Sequence, residues 1–348
     1  MNTRQIATAV VIHGAEDVRV QEHEVAALVD GQALVEVELG GICGSDISYF
    51  RHGAVGDFKV VAPMVLGHEV IGRVRDVATG RTNLSDGSRV AVNPSSPCGR
   101  CERCQESRSN ICLNPVFLGS ASTTPHTHGG FVSLLPTRLD AAVVIEDQLD
   151  NSLAVFAEPL AVTVHAVRRS GGVRGANVLI VGAGPIGAML ATVCKAEGAA
   201  AVAVADVNAD RLHTIHQLGI DDTALVGEQD AGSGFDLVFD ASGSAIGIAD
   251  ALPRVRRGGK LILVGLPHGP TPLPIAASVT GEVDIVGSFR FNHNEFVEAL
   301  DLLHAGLNLT PLISNRHDVS DAAAAMVEAA SGTAMKVQLD FGALHHEH

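Results

Sequence analysis

The sequence predicts an α/β protein with two domains, one rich in β-strands and one built on a doubly wound parallel sheet. The chain has 348 residues, 46% of them hydrophobic, which is more than one core usually organises and enough apolar material for two. Its texture changes near residue 153, where short interrupted runs give way to Ala- and Val-rich segments. A glycine-rich turn then joins a strand-like segment to a helix-like one, as in dinucleotide-binding folds.

The first 150 residues contain short strand-like runs broken by Gly, Pro and Asp. Examples are Ala33–Val37, Val70–Val77 and Arg89–Val92. Because these runs are not separated by helical patterns, they favour a compact β domain over alternating β and α units.

The glycine-rich turn lies in the context that dinucleotide binding requires. Asn177–Val181 is typical of a fully buried strand, and it leads into Gly182-Ala183-Gly184-Pro185-Ile186-Gly187 and a helix to about Glu197. A second strand, Ala201–Ala205, ends at Asp206, 19 residues after Gly187. A lone GxGxxG is weak evidence, but strand, turn, helix, strand and acid together predict a Rossmann unit.

Three further runs continue this sheet, at Leu237–Asp240, Lys260–Val264 and Val283–Val286. The sheet is then complete near residue 288, and the remaining sixty or so residues are too few for a third core. We therefore expect the dinucleotide domain, residues 153–289, to be an insertion between residues 1–152 and 290–348 of the first domain.

The acidic residue at the end of the second strand indicates which dinucleotide binds. Glycines let the backbone approach the pyrophosphate, which lies in the positive field of the helix N-terminus. Asp206 is then placed to accept hydrogen bonds from the ribose hydroxyls and to repel a 2'-phosphate. The pattern favours NAD over NADP, although Arg211 nearby leaves NADP open.

Four of the six cysteines, Cys98, Cys101, Cys104 and Cys112, fall in one loop, residues 93–113, with the spacing CxxCxxCx7C. This spacing fits a structural zinc ion held by four thiolates. An iron–sulfur cluster is the alternative, because CxxCxxC also occurs in ferredoxins. A disulfide framework is not expected for a protein we place in the cytoplasm, where thiols stay reduced.

A second group of metal-binding residue types is scattered along the chain. Cys43 lies in a glycine-flanked turn, His68 and Glu69 follow Gly67, and Glu158 precedes Pro159. One Cys, one His and one or two carboxylates can hold a catalytic zinc and leave a coordination position open for substrate. Each residue alone has an ordinary structural explanation, but together, beside a dinucleotide motif, they predict a catalytic metal site.

Charge and hydropathy exclude other classes of function. The net charge of −15 argues against a nucleic-acid surface and requires a local basic residue for any anionic substrate. No apolar run reaches the roughly 18 residues that a membrane helix needs, and no segment near the start resembles a signal peptide. We expect a cytoplasmic protein whose partner is a small molecule.

These motifs resemble the zinc-containing medium-chain dehydrogenases of the sorbitol dehydrogenase branch. The resemblance rests on Gly41–Asp46, Gly67–Glu69, the four-cysteine loop, Glu158–Leu160 and the glycine turn, in the family's order and over nearly the whole chain. It implies a GroES-like fold for the first domain, assembly as a homotetramer or homodimer, and NAD-linked oxidation of a secondary alcohol on a small polyol or sugar acid. Phe58–Gly67, Asn93–Ser95, Phe117–Ala121 and Gly287–Phe291 resemble the sugar-acid dehydrogenases of this branch most.

The resemblance also implies roles for individual residues. Cys43, His68, Glu69 and Glu158 would ligate the catalytic zinc, directly or through water, and Ser45 would accept the proton of the alcohol. The expected substrate contacts are Tyr49, Glu158, Arg290 and Phe291. The expected cofactor contacts are Gly182, Gly184, Ile186, Gly187, Asp206, Arg211, Val264, Gly265, Leu266, Ser288, Phe289 and Arg290.

One position departs from the family pattern. Where the family commonly has a histidine that passes the proton outward, this chain has Ser48, so His52 or water is the alternative carrier.

Two rival functions remain open at this point. A zinc-free quinone or enone reductase would share the fold and the glycine turn but would not need Cys43, His68 and Glu69 together. A nucleotide-binding sensor on the same scaffold would bind cofactor without turnover.

Overall fold

The computed structural model describes residues 5–80, 83–267 and 269–345. The chain divides into two compact units. The first runs to Pro159 and also contains Asn292–Gly306 and the residues from Ile313 onward, and the second contains Leu160–Phe291 and Leu307–Leu312. Within the described ranges, no helix has the length and apolar character needed to cross a membrane.

The described residues form the following strands and helices. In chain order the strands are β1 (Gln5–Gly14), β2 (Asp17–Val25), β3 (Gln32–Gly41), β4 (Ala54–Val55), β5 (Phe58–Lys59), β6 (Met64–Val65), β7 (Glu69–Val77), β8 (Arg89–Val92), β9 (Ser95–Ser96), β10 (Val116–Phe117), β11 (Leu134–Arg138), β12 (Ala142–Val144), β13 (Asn177–Val181), β14 (Ala201–Asp206), β15 (Thr223–Leu225), β16 (Phe235–Asp240), β17 (Val255–Leu263), β18 (Asp284–Gly287), β19 (Ile313–Asp318) and β20 (Lys336–Asp340). The helices are α1 (Gly44–His52), α2 (Glu102–Gln105), α3 (Asn151–Ala154), α4 (Ala157–Ser170), α5 (Pro185–Ala196), α6 (Ala209–Gln217), α7 (Ala245–Ala251), α8 (Ile275–Gly281), α9 (His293–His304) and α10 (Ala322–Ala329).

The first unit is built on a mixed sheet in the order β12-β8-β7-β3-β20-β19, with β11 also paired to β3. Its pairings are antiparallel except for the parallel pair β19 and β20. A hairpin of β1 and β2 extends through β1 to β6. The buried faces of these strands form one apolar cluster that includes Val10, Leu66 and Phe131, so strands far apart in sequence share a core.

The second unit is a parallel sheet in the order β15-β14-β13-β16-β17-β18. This is the doubly wound arrangement, in which the strand order reverses between the first and fourth strands and the ligand lies at the carboxyl ends there. The continuous apolar run of β13 suits a strand covered on both faces, and four of its five residues are buried. The predicted fold class is confirmed.

The largest difference from the predicted strand boundaries lies in β17. The run expected at Lys260–Val264 is the second half of β17, which begins at Val255. Val255 pairs with Phe235, and the register then shifts before Lys260 pairs with Leu237. Arg256, Arg257 and Gly258 in the intervening segment are exposed, so hydropathy alone gave no sign that the strand continued through it.

Candidate active site

A buried carboxylate ties together the two segments that carry Cys43 and His68. Cys43 stands at the junction of β3 and α1, and Asp46 lies in the first turn of that helix with no solvent exposure. Asp46 Oδ2 accepts a hydrogen bond from the Cys43 amide at 3.0 Å, and Oδ1 accepts one from the Gly67 amide at 3.1 Å. This single side chain therefore fixes both sides of the site.

Glycines allow the backbone before His68 to pack tightly. Gly67 has φ +88°, a conformation that side chains disfavour. The Gly130 amide donates to the Gly67 carbonyl at 2.8 Å, and a Cβ on Gly129 would overlap the Leu66 carbonyl. The turn is held from both sides, which sets the direction in which His68 leaves it.

Cys43, His68 and Glu69 come together as a group whose potential ligand atoms all lie within 4.8 Å of one another. His68 and Glu69 are buried. Within the described part of the chain, His68 Nδ1 is a buried nitrogen without a hydrogen-bond partner. Buried polar atoms are normally paired, so an unpaired imidazole nitrogen beside a thiol and a carboxylate fits a bound zinc ion.

Glu69 fits because the residue opposite it is a glycine. Gly41 on β3 pairs with Glu69 on β7. A Cβ at residue 41 would overlap Glu69 Oε2, so a larger residue would displace the carboxylate from the site.

Lys336, which the sequence analysis did not identify, pairs with Glu69. Its Nζ donates to Glu69 Oε1 at 2.8 Å, to Oε2 at 2.7 Å and to the Ile42 carbonyl at 3.1 Å. The two side chains are 3% and 1% exposed. Burial disfavours the lysine charge, but the attraction of Glu69 and Cys43 outweighs it and the pKa of Lys336 is raised. In the sequence, Lys336 stands at the start of the strand-like run Lys336–Leu339 with nothing to mark it as a partner of Glu69.

Burial also changes the pKa of the Cys43 thiol. It raises the pKa of Cys43 to about 12, and the neighbouring Glu69 charge acts in the same direction. A thiolate is the form that ligates metal, and a bound cation offsets both effects. Cys43, His68 and Glu69 therefore form a group of ligands that a bound cation would stabilise.

Glu158 lies in the first turn of α4 and is buried. Burial raises its pKa to about 8; the charge of His68 opposes that shift, while those of Cys43 and Glu69 add to it. Among the described residues, the 4.8 Å group does not include Glu158. Its carboxyl group thus faces the charges of the site without joining the closest set of ligand atoms.

The four cysteines of the 93–113 loop form the second candidate metal centre. Their ligand atoms lie within 4.8 Å of one another, with Cys101 Sγ 3.5 Å from Cys104 Sγ and 3.8 Å from Cys112 Sγ. A tetrahedral zinc ion with Zn–S bonds of about 2.3 Å separates its sulfurs by about 3.8 Å. A cluster of several iron atoms would hold the sulfurs farther apart, so the spacing favours a single ion.

Backbone amides donate hydrogen bonds to the cysteine sulfurs of this loop. Hydrogen bonds from the Leu113 and Cys104 amides lower the pKa of Cys101 to about 6. The Cys98 amide donates to Cys112 Sγ at 3.2 Å and the Asn114 amide does so at 3.3 Å. These donors favour the thiolate, the form that ligates zinc.

The glycine turn and Asp206 line a cavity of about 520 Å³ in the second unit. Asp206 Oδ2 accepts from the Ala183 amide at 2.6 Å and Oδ1 from the Asn208 amide at 2.8 Å. A Cβ on Gly187 would overlap the Gly182 carbonyl, which explains the need for glycine there. The cavity wall also includes Gly184 and Arg211.

Three exposed apolar side chains complete this cavity and were not predicted. They are Val207, Val226 and Ile246, which are 77%, 48% and 83% exposed. Large apolar side chains are left exposed at binding sites more often than elsewhere, and these offer faces for a flat aromatic ring such as adenine. The expected cofactor contacts that are not part of this cavity's lining are Ile186, Gly187, Val264, Gly265, Leu266, Ser288, Phe289 and Arg290.

The remaining predicted residues of the first unit are mostly engaged in structural contacts. Tyr49 is 3% exposed, and its hydroxyl accepts from the Ala121 amide at 2.9 Å. Ser48 Oγ donates to the Ala54 carbonyl at 2.8 Å, whereas His52 is exposed. Ser45 is half-buried, and its amide hydrogen bond to Cys43 favours the thiolate.

In the second unit, the predicted segment after β18 has an unusual backbone. Arg290 has φ +52°, and its guanidinium carbon lies 5.0 Å from the centre of the Phe289 ring. Phe291 is buried. Ser288 Oγ is a buried hydroxyl for which the described residues supply no hydrogen-bond partner. The segment thus presents a basic side chain from a strained backbone conformation.

One aromatic residue near the metal ligands had no assigned role. The Phe117 ring lies 5.5 Å from the His68 ring, measured between centroids. It lies on β10, which follows the cysteine loop in the chain and pairs with β9, which precedes that loop. Its distance from His68 in the sequence therefore gave no indication of this contact.

Comparison with known proteins shows which families the chain resembles. Residues 29–147 match the alcohol dehydrogenase GroES-like domain, and residues 185–305 match the zinc-binding dehydrogenase family. The chain is 37% identical over 341 residues to L-idonate 5-dehydrogenase (NAD(P)(+)) of Escherichia coli strain K12, covering 95% of this chain and 98% of that protein. It is 33% identical over 323 residues to sorbitol dehydrogenase of Bacillus subtilis strain 168, covering 90% and 89%.

A solved structure shows the same architecture. The crystal structure of L-idonate 5-dehydrogenase from Escherichia coli superimposes with a TM-score of 0.93 at 36% identity, covering 97% of this chain and 99% of that one.

The two metal centres should be separable by mutation. We expect elemental analysis of the purified protein to give about two zinc ions per chain. Cys101→Ser should remove one ion and lower the melting temperature, because a loop with no core of its own loses its cross-link. Cys43→Ser should mainly abolish metal-dependent activity.

The buried Cys194 provides a matched control, since Cys194→Ser should leave the zinc content unchanged. A wild-type content of one ion, or the presence of iron with labile sulfide, would contradict the two-zinc assignment.

Removing Lys336 should destabilise the fold strongly. Lys336→Met leaves Glu69 buried without its partner, and breaking a buried pair from one side costs about 3 to 5 kcal/mol. Lys336→Met combined with Glu69→Gln should recover part of this loss. The measurement is the free energy of unfolding in urea, with the exposed Lys195→Met as control; equal losses in the single and double variants would show that the pair is not coupled.

Proposed function

Since the chain belongs to the family of zinc-binding alcohol dehydrogenases and is a zinc-dependent, NAD(P)-linked dehydrogenase of the polyol and sugar class, we propose that its substrate is a sugar acid. The reaction proposed is oxidation of L-idonate to 5-keto-D-gluconate. The observation that carries the proposal is the 37% identity to L-idonate 5-dehydrogenase over nearly the full length of both chains. The segments that resemble sugar-acid dehydrogenases in the sequence support the same choice.

The proposed chemistry assigns a task to each part of the first unit. Zinc, when bound, acts as a Lewis acid that lowers the pKa of a hydroxyl group coordinated to it. Cys43 and His68 hold the metal, and Glu69, neutralised by Lys336, adds no net charge to the site. The Ser45 hydroxyl accepts the proton that leaves the alcohol, and Glu158 orients the reacting hydroxyl.

The second unit supplies the hydride acceptor. A dinucleotide bound there would supply the nicotinamide ring that accepts hydride. The glycine turn holds the pyrophosphate, and the two oxygens of Asp206 keep acceptor capacity for the ribose hydroxyls, because each accepts only one backbone hydrogen bond. We propose NAD as the preferred cofactor for this reason.

The proton route beyond Ser45 is the part of the reaction in which this chain departs from its family. Ser48 donates its hydroxyl proton to a backbone carbonyl, which gives it a structural contact in place of the histidine common at this position. We propose that water carries the proton outward, with the exposed His52 as the alternative carrier.

Arg290 is the residue proposed to select a sugar acid. A carboxylate approaching a protein of net charge −15 needs a local cation. Of the proposed substrate contacts Tyr49, Glu158, Arg290 and Phe291, only Arg290 is basic, and its backbone is held in a defined conformation. A polyol dehydrogenase is the second candidate, because sorbitol dehydrogenase is similar over most of the chain.

Two properties accompany the proposal. Assembly as a homodimer or homotetramer is proposed from the resemblance and is tested by light scattering. A cytoplasmic location is proposed because the four zinc-binding thiols of the 93–113 loop require a reducing compartment.

Arg290→Met should discriminate between acid and polyol substrates. Losing one charge-assisted contact to a carboxylate costs about 1.5 to 3 kcal/mol. The variant should therefore lose about tenfold or more in kcat/KM for L-idonate, and much less for sorbitol or xylitol. The measurement is NADH formation with each of the three substrates.

Arg290→Lys is the matched control, since it keeps the charge and should retain more activity on L-idonate than the methionine variant. Equal losses on acid and polyols would overturn the sugar-acid assignment and favour a polyol dehydrogenase. Cofactor binding without turnover of any of the three substrates would contradict both assignments.

Asp206→Ser should shift cofactor preference from NAD towards NADP. It removes the acceptor for the ribose hydroxyls together with the charge that repels a 2'-phosphate. The measurement is the ratio of the dissociation constants of NADH and NADPH, from quenching or energy transfer of their fluorescence. Asp210→Ser, an exposed acid on α6 outside the cavity, should leave the ratio unchanged; an unchanged ratio in Asp206→Ser would show that this carboxylate does not reach the ribose.

A further inference from the structure

Two histidines outside the metal site hold the segment that leads into it. The Val61 amide donates to His126 Nε2 at 3.0 Å, and the Val65 amide donates to His128 Nδ1 at 3.2 Å. Both donors belong to the stretch 61–65, which continues through Leu66 and Gly67 to His68. Both acceptors belong to one loop, residues 120–131. This loop is therefore hydrogen-bonded to the segment that leads to the metal ligands.

The geometry fixes the protonation state of both rings. A backbone amide can only donate, so His126 Nε2 and His128 Nδ1 must each carry a lone pair. His126 Nδ1 lies 3.0 Å from the Thr123 carbonyl and must therefore be its protonated nitrogen. Each ring is consequently a neutral imidazole, and protonation would place a second N–H against the amide that now donates to it.

The same loop makes other contacts around the site that do not depend on pH. The Gly129 amide donates to the Val65 carbonyl at 2.8 Å, and the Phe131 amide to the Leu66 carbonyl at 2.9 Å. The Ala121 amide donates to the Tyr49 hydroxyl. Among the described hydrogen bonds between this loop and residues 61–66, those donated by the Val61 and Val65 amides have imidazole acceptors, so these two are the ones that acid would break.

The surroundings of the pair do not favour a positive charge. The His23 ring from β2 meets the His128 ring edge-on, with the centroids 4.9 Å apart. Partial burial lowers the pKa of His128, and a proton on His23 or His126 would lower it further. His126 itself contacts Val61 and Thr123, neither of which carries a charge. In the described part of the chain, no carboxylate shifts the pKa of His128 upward.

We propose that His126 and His128 are positioning residues for the zinc-dependent reaction. As neutral acceptors they hold the segment 61–65 so that His68 and Glu69 are presented to the metal, and their protonation releases that segment. The proposal uses the zinc-dependent activity of the family and is independent of which alcohol is the substrate.

The test replaces each ring by an amide whose oxygen occupies the accepting position. Gln has Oε1 where His has Nε2, and Asn has Oδ1 where His has Nδ1, so His126→Gln with His128→Asn keeps both acceptors and removes both titrations. Hydrogen–deuterium exchange of the full-length zinc-loaded protein, corrected for intrinsic rates, then reports on the Val61 and Val65 amides between pH 7.5 and 5.5.

We expect exchange of these two amides in the wild-type protein to accelerate about fivefold or more at pH 5.5, the effect of losing one hydrogen bond. The Gln/Asn variant should show no such acceleration. Zinc release to EDTA should follow the same pattern, being about fivefold slower in the Gln/Asn variant than in the wild type at pH 5.5 and equal at pH 7.5. His213→Gln, an exposed histidine on α6, is the control and should behave as the wild type.

A variant without acceptors, His126→Leu with His128→Leu, should exchange quickly at both pH values. If that variant does not fold, the comparison of wild type with the Gln/Asn variant decides alone. Equal acceleration of exchange and of zinc release in both proteins would overturn the proposal, because it would place the acid sensitivity in the metal ligands themselves. An unchanged exchange rate in the wild type would overturn it as well.

Discussion

Burial of several ionisable groups around one point is the constraint on which the catalytic unit depends. The half-buried thiol of Cys43 and the buried carboxylates of Glu69 and Glu158 lie near His68, and such groups are costly to bury unless their charges are paired. Lys336 pairs one carboxylate internally. The raised pKa values of Cys43 and Glu158 show that the protein alone does not stabilise their negatively charged forms, which a metal cation would do.

The backbone around the site is arranged to meet this constraint. The two carboxylate oxygens of Asp46 accept hydrogen bonds from the Cys43 and Gly67 amides, which adds rigidity to both segments. Gly41 leaves space for Glu69, and the turn at Gly67 is packed too tightly for side chains at Gly129. Precise placement of ligands follows from packing that tolerates only glycine at these points.

The two candidate metal centres stabilise thiolate charge in different ways. At the cysteine loop, amide groups from the loop itself lower the pKa of Cys101, and short local spacing brings the four sulfurs together. At Cys43, distant elements supply both the opposing charges and the compensation. A loop that organises its own ligands suits a structural ion, whereas ligands held by a rigid scaffold leave room for substrate at the metal.

Sequence alone determined the features of this protein that depend on residues close together in the chain. The strand, glycine turn, helix and acid of the dinucleotide unit lie within thirty residues of one another, and so do the four cysteines, so their spacing predicted both. Only the tertiary structure decided the rest. Lys336 stands 267 positions from Glu69 and meets it because β20 pairs with β3; His126 and His128 reach the segment 61–65 by a loop that returns to β6. Such partners are set by sheet pairing and core packing across long separations, which no local pattern of residues records.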